Sequence, residues 1–358
     1  MEAQKVFKGN LPQEPIATRK ASGIVIAKLG PVLPQLMTGS ADLMDSTFVA
    51  WSKAPSMTFQ SPNLSGSGKG GSFAGRQIRY GIREHAMVAI ANGLAAYHPN
   101  AILPVVSTFF MFFLYAAPAV RMAALQRLRV LYIATHDGIG IGEDGPTHQP
   151  IALASFFRAM PGINFLRPAD AEEVMGAWTI ALQANVPSML SLSRQALPLL
   201  DGTSREGVAR GGYPIFQSKA ALNGVPDLVF ISTGFEVHLA IEVASLLTSD
   251  ACGTRVVSMP CQALFDQHSA EYKEEVLPTA GALIVAVEAW SSFGWARYAH
   301  ASVSMHSFGL SAPADLLYKH FGFEPENIAI RVRKFQQRHT KNSVVMVPAV
   351  GKFEELLL

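Results

Sequence analysis

Strand-length apolar runs alternate with helix-length runs through almost the whole chain, and that rhythm narrows the folds open to it. From the amino end it predicts a helix from about Thr18 to Leu29, a strand Leu33 to Thr38, a helix Ile82 to Tyr97, a strand Ile102 to Val106 and a buried helix from Phe109. Strand Arg129 to Ala134, helix Pro150 to Arg158, strand Asn164 to Leu166, an Asp170-capped helix to Gln183 and strand Ser188 to Leu192 follow. Such a succession predicts an α/β fold with a mainly parallel sheet and helices on both faces. Pro198 to Gly212 interrupts it with Asp201-Gly202 and Gly211-Gly212. The rhythm then restarts with strand Asp227 to Ser232, helix Glu236 to Leu247, strands Thr254 to Met259 and Ala282 to Glu288, and a helix Ala314 to His320. Two α/β domains are therefore expected: a leader 1–15, a first domain 16–197, a linker 198–212, a smaller domain 213–345 and a tail 346–358. Residues 52–75, rich in Ser and Gly, read as a mobile surface loop.

Composition excludes several functions. Charged residues are 16% of the 358, and 49% are apolar, against roughly 25% charged in an average soluble protein. Part of the surface is therefore expected to lie against partner chains. A net charge of +2 without long basic runs gives no nucleic-acid footprint. Cys252 and Cys261 lack a CxxC partner and read as free buried thiols in a reducing compartment. Met1 to Lys5 carries no secretory segment, the terminal leucines are not a peroxisomal address, and a cytoplasmic location is expected. Ala101 to Val120 is uncharged and near the roughly 20 residues of a membrane span. Pro104, Ser107, Thr108 and Pro118 interrupt it, so a buried strand and helix explain it better, and no membrane is expected.

Candidate chemistry gathers between Arg76 and Gln149. Glu84 stands at a helix start, where a carboxylate equally serves as a cap on the positive end. Phe109, Phe112 and Tyr115 recur every third residue, as one face of a helix would, and suit either a core stripe or an aromatic slot. In the loop Thr135 to Gln149, Gly138, Gly140, Gly142 and Gly145 let backbone approach a ligand, while His136, Asp144 and His148 offer titratable groups. Glu143, Asp144 and His148 match no common metal spacing, and no G-x-S-x-G elbow is present. Asp42 follows a strand and a small-residue turn, where α/β proteins keep ligands.

Ordered blocks give a resemblance: TRKAS from Thr18, GSADL from Gly39, RYGIREHAM from Arg79, STF-x-x-F-x-x-Y from Ser107, THDGIGIGEDGPTHQP from Thr135, RPAD from Arg167 and LSRQ from Leu192. Further blocks are TGFEV from Thr233, RVVSMP from Arg255 and FGFEPENIA from Phe321. Together they resemble transketolase over about residues 16 to 335. The first domain then corresponds to a pyrimidine-binding domain and the second to the transketolase C-terminal domain. The resemblance implies transfer of a two-carbon ketol unit from a ketose phosphate to an aldehyde acceptor, with thiamine diphosphate as cofactor. Glu84 matches the glutamate that meets a ring nitrogen of the aminopyrimidine, and Phe109, Phe112 and Tyr115 match the aromatics that pack on that ring. Asp42 lies beside the cofactor. His136 and His148 contact substrate hydroxyls and assist proton transfers, Asp144 receives the donor's 2-hydroxyl, and Arg19, Ser46, His136 and Arg194 grip a sugar phosphate.

One family element is missing. The Gly-Asp-Gly...Asn motif that holds Mg²⁺ and the cofactor's diphosphate does not occur. The resemblance therefore implies no metal ligand in this chain and a separately encoded diphosphate-binding subunit, in an α2β2 heterotetramer. A non-catalytic regulatory subunit that pairs with a full-length transketolase, and a beta-type subunit of a two-subunit ketoacid decarboxylase or dehydrogenase, are the competing expectations. The GEDGPTHQP loop and the phosphate-gripping set argue for sugars.

Overall fold

A computed structural model describes residues 6, 12, 14–63, 70–98, 100–341, 344–348 and 352–358. Most of the expected leader, and residues 64–69 of the Ser/Gly stretch, lie outside the described residues.

Six strands form the first sheet: β1 Leu36–Ser40, β2 Gln77–Arg79, β3 Leu103–Phe109, β4 Leu131–Thr135, β5 Asn164–Leu166 and β6 Ser188–Leu192. They run parallel in the order β2-β1-β3-β4-β6-β5. Helices α1 Thr18–Val32 and α5 Ala171–Gln183 cover one face through Val25, Leu29, Val174 and Trp178. On the other face lie α2 Glu84–Tyr97, α3 Phe113–Leu125 and α4 Leu153–Ala159, through Met87, Phe113, Val120 and Phe157. Burial on both faces is why these strands read as apolar runs rather than alternating patterns. A two-residue ribbon pairs Ile16–Ala17 antiparallel with Ala196–Leu197, joining the two ends of the domain.

The second sheet contains β7 Tyr213–Gln217, β8 Leu228–Ser232, β9 Thr254–Ser258, β10 Leu283–Ser291, β11 Ala301–Met305 and β12 Glu354–Glu355, ordered β12-β11-β10-β8-β9-β7. Only β7 is antiparallel, and it occupies the edge, where Pro214 forfeits no central ladder bond. Helices α6 Glu236–Leu247, α7 Ala314–His320 and α8 Pro325–Arg338 belong to this domain.

Several expected boundaries shift for local reasons. Strand β1 begins at Leu36 because Leu33 N still closes α1 onto Leu29 O and Leu36 N then turns onto Leu33 O. Strand β3 runs on to Phe109 and passes through a 3₁₀ turn, Phe110–Phe112, before α3 starts at Phe113, so Phe109, Phe112 and Tyr115 do not share one helix. The spacing of three is therefore shared by a strand end, a 3₁₀ turn and a helix start. Helix α4 begins at Leu153 instead of Pro150. The linker contains a short helix, Arg205–Ala209, capped by Ser204. Helix α8 was not expected, although Ile328, Val332 and Phe335 recur at its apolar spacing and Pro325 opens its first turn. Among the described residues no helix is long and apolar enough to cross a membrane.

Buried charge joins the domains. Arg167, directly after β5, bonds Asp137 Oδ2 through Nε at 3.0 Å and Glu236 Oε2 through Nη1 at 2.5 Å. Its planar guanidinium lies 3.8 Å from the Trp290 ring centroid. Arg158 from α4 grips both oxygens of Glu288 on β10 at 2.7 Å each. Tyr318 and Trp295 donate to Glu236 and Glu288. Burial alone would raise Glu288, but Arg158 and Arg167 hold it down to about 2, whereas Glu236 stays raised because burial outweighs Arg167 and two carboxylates stand nearby.

A second buried carboxyl at the joint has no cation within salt-bridge distance among the described residues. Glu173 in α5 accepts from Ala169 N at 2.7 Å, from the Tyr213 hydroxyl at 2.7 Å and from Ser258 Oγ at 2.6 Å, the last two lying on the second sheet. Burial and the neighbouring Asp170 push it up to about 7, against the three donors.

Two outcomes follow. Arg167→Met leaves carboxylates without their counter-charge and is expected to cost about 3–5 kcal/mol, read as a lower urea midpoint; a loss below about 1 kcal/mol would show that the network does not hold the domains. Glu173 has a folded pKa above its unfolded value, so it contributes stability that is complete below pH 4.5 and lost as pH rises through about 7. Comparing wild type with Glu173→Gln by thermal melting from pH 4.5 to 8 should show a declining difference, and identical pH profiles would refute it.

Candidate active site

The expected site residues other than Arg19, which stands at the start of α1, lie at or just beyond the carboxyl ends of strands in one parallel sheet, where α/β folds bind ligands. After β1, the turn at Asp42 is pinned by Ser40 Oγ, which donates to Ser107 O at 2.9 Å and accepts from Leu43 N at 3.1 Å. Asp42 takes a left-handed backbone, φ 63°, and lines a cavity of 230 Å³ with Asp45, Ser46 and Arg79. Glu84 is the first residue of α2, as the sequence suggested, and its side chain is buried. Phe109 and Phe112 stack with centroids 5.8 Å apart, and Tyr115 lies 6.3 Å further on, 67% exposed.

Directly after β4, His136 has φ 61°, an uncommon conformation for a residue with a Cβ. Its ring is 3% exposed and stacks on Phe109 at 3.7 Å. His148 meets Phe112 edge-on at 5.2 Å, so both histidines flank the aromatic pair. Asp144 is exposed on the same loop.

Arg19 and Arg194 reach this group by a separate device. Thr18 N donates to Ser193 Oγ at 3.1 Å while Ser193 N donates to Thr18 Oγ1 at 2.7 Å. These reciprocal bonds hold the following arginines beside each other. Arg19 Nη1 donates to Ser46 O at 2.7 Å and to His136 Nε2 at 3.3 Å. A guanidinium has only donors, so Nε2 must accept, and the imidazole proton sits on Nδ1, directed to Thr135 Oγ1 at 2.8 Å. Burial, followed by Arg19, Arg194 and His148, lowers His136 to about 3. Burial and Arg194 lower Arg19 as well. Among the described residues neither arginine has an acidic partner within salt-bridge distance. Guanidiniums without a carboxylate beside a neutral imidazole have the chemistry that suits an anion.

The structure therefore brings Arg19, Ser46, His136 and Arg194 together, sets His148 and the aromatic pair beside them, and places Asp42 and Glu84 on neighbouring loops. The glycines differ from expectation: a Cβ on Gly140 would meet the Gln195 amide at 2.4 Å, and Gly142 and Gly145 face Ala312 and Ser311 of the second domain rather than open space. Sequence reasoning also missed the Thr18 and Ser193 pairing and the Asp137, Arg167 link, although both lie inside the recognised blocks. Among the described residues no group of His, Cys, Asp and Glu is arranged to hold a metal ion.

Comparison with known proteins agrees with this architecture. Residues 14–199 match the family model described as transketolase, pyrimidine binding domain, and residues 211–324 match that of the transketolase-like TK C-terminal domain. A probable transketolase of Schizosaccharomyces pombe is 48% identical over 321 residues, 89% of this chain and 45% of that protein. A dihydroxyacetone synthase of Candida boidinii is 42% identical over 334 residues, 93% of this chain and 46% of that protein. The solved transketolase from Leishmania mexicana overlays with a TM-score of 0.86 at 44% identity, covering 95% of this chain and 48% of that one. A split gene transketolase, described as an inactive beta4 tetramer, shares the fold with a TM-score of 0.68 at 23% identity, covering 89% of this chain and 98% of that one. This chain spans about half the length of the curated relatives it matches. With both domains present in family order, the chain belongs to the transketolase family.

Proposed function

We propose that this chain is the pyrimidine-binding and C-terminal part of a ketol transferase that uses thiamine diphosphate and Mg²⁺, with the diphosphate and metal held by a separately encoded partner in an α2β2 cytoplasmic enzyme. The observation that carries this reading is the convergence of Arg19 and Arg194 on a neutral His136 whose ring stacks on Phe109. A phosphate dianion suits the first pair, and a flat ring suits the slot beside it.

The family normally uses thiamine diphosphate with a divalent metal, and the groups present fit its aminopyrimidine end: a partly open aromatic slot and a buried carboxyl on a neighbouring loop. When bound, the cofactor supplies a carbon nucleophile that accepts the donor's two-carbon unit. Glu84 shares a proton with the pyrimidine ring nitrogen, and Phe109, Phe112 and Tyr115 hold the ring flat. Asp42 supports the cofactor from the adjacent loop. Asp144 accepts the donor's 2-hydroxyl, and His148 bonds a neighbouring hydroxyl.

Charge gives His136 a conditional role. Its proton affinity is low because burial and the two guanidiniums disfavour a third positive charge. A phosphate dianion between Arg19 and Arg194 offsets that repulsion, so His136 gains proton affinity only when the donor's phosphate is in place.

A partner chain is supported by exposed apolar residues beside the slot. Ile82 precedes α2, Ile90 lies on it, and Leu114, Tyr115, Met122 and Leu125 lie along α3, all exposed. A patch of this kind marks an interaction surface. The fold neighbour described as an inactive beta4 tetramer suits a half-site that turns over only with another chain.

Mixing the chain with a diphosphate-binding subunit and assaying ketol transfer tests the reading. Glu84→Ala is expected to lower kcat at least about 100-fold, and Arg19→Met to raise KM for a phosphorylated donor about 10-fold or more with kcat little changed. Transfer that persists at the wild-type rate in Glu84→Ala, or an unchanged KM in Arg19→Met, would overturn it.

A further inference from the structure

The loop that presents Asp144 and His148 is fastened largely from the second domain. Trp290 Nε1 donates to Asp137 O at 2.7 Å, fixing the peptide that follows His136. Ser311 Oγ donates to Glu143 O at 2.6 Å. Gln149 Nε2 donates to Leu310 O at 3.0 Å and reaches back to Gly142 O at 3.4 Å, so one amide ties both ends of the Gly142 to Gln149 segment to residue 310.

Contact at this seam is unusually close. Gln149 is 2% exposed, and its Oε1 is buried with no hydrogen-bond partner among the described residues. A Cβ added to Gly309 would lie 1.6 Å from that oxygen, and one added to Gly145 would lie 3.1 Å from Ser311 Cβ. No side chain fits at 309 while Gln149 keeps its place. With Oε1 facing Gly309 and Nε2 bonded to Leu310 O, the position of the Gln149 amide is set by the shape of what it packs against. Here that shape is the backbone of 309–312.

We propose that Gln149 is a positioning residue, pressed against Gly309 so that the second domain sets where Asp144 and His148 stand. None of the residues assigned above to cofactor or substrate lies in the second domain, and its part in the reaction is to template this loop. The inference rests on the reading that Asp144 and His148 meet the donor sugar. Arg19, Ser46 and Arg194 stand on other elements, so disturbing the template separates turnover from phosphate binding.

Gly309→Ala in the full chain tests it, with Ser311→Ala as a milder variant that removes only the hydroxyl bond to Glu143 O. Amide hydrogen exchange over 138–149 is measured on the chain alone, and kcat and KM for a phosphorylated ketose on the chain mixed with its diphosphate-binding partner. Gly309→Ala should accelerate exchange across 142–149 at least about tenfold and lower kcat at least about tenfold, with KM changed less than about threefold. Ser311→Ala should move both readouts in the same direction by a smaller factor. Adding Gln149→Ala to Gly309→Ala should give the kcat of Gln149→Ala alone, because the collision is then absent. Unchanged exchange over 142–149 in both single variants, or additive losses in the double variant, would overturn the proposal. If the wild-type mixture transfers no ketol unit, the functional reading fails while the exchange result still decides whether the template exists.

Discussion

The pairing of Arg167 with carboxylates from both domains is the interaction on which the rest of the molecule depends. Two guanidiniums, Arg158 and Arg167, face three buried carboxylates, Asp137, Glu236 and Glu288. Burying such charge is costly unless every group is paired, and the arrangement then tolerates almost no displacement of one domain against the other. Asp137 belongs to this network and immediately follows His136, so the left-handed backbone at the site begins where the domain joint ends. Arg167 thus acts on two things at once: the contact between the domains and the start of the loop that begins at His136.

Charge is handled in the opposite way a few residues along the same loop. Among the described residues Arg19 and Arg194 have no carboxylate within salt-bridge distance, and Arg19 donates to an imidazole held neutral. The contrast between compensated arginines at the joint and uncompensated ones at the sheet edge separates structural from ligand-seeking cations without any appeal to relatives.

Elements governed by local rules were legible in the sequence. The Asp170 cap, the strands Asn164 to Leu166 and Ser188 to Leu192, and the helices Glu236 to Leu247 and Ala314 to His320 fall where patterning placed them. The role of the glycines in the Thr135 to Gln149 loop was not legible, since whether a glycine faces a ligand or a neighbouring domain depends on which backbone arrives opposite it. Gly145 faces Ser311, from far along the chain. The triad Phe109, Phe112 and Tyr115 was visible as a spacing of three, but the choice between helix face and 3₁₀ turn depended on where β3 stopped. Arg167 was readable as part of a motif and not as a domain lock, because its partners Glu236 and Glu288 come from the other domain.

The reciprocal bonds between Thr18 and Ser193 give the anion site a place in the folding sequence. They join positions at opposite ends of the first domain, and contacts of such sequence separation carry a large loop-closure entropy and form late. Arg19 and Arg194 are consequently neighbours only in a domain whose ends have already met. A phosphorylated ligand that takes both arginines binds the finished topology and no precursor of it. By mass action any such ligand draws the chain toward closure, so binding at the two arginines and joining the ends of the domain are one linked equilibrium.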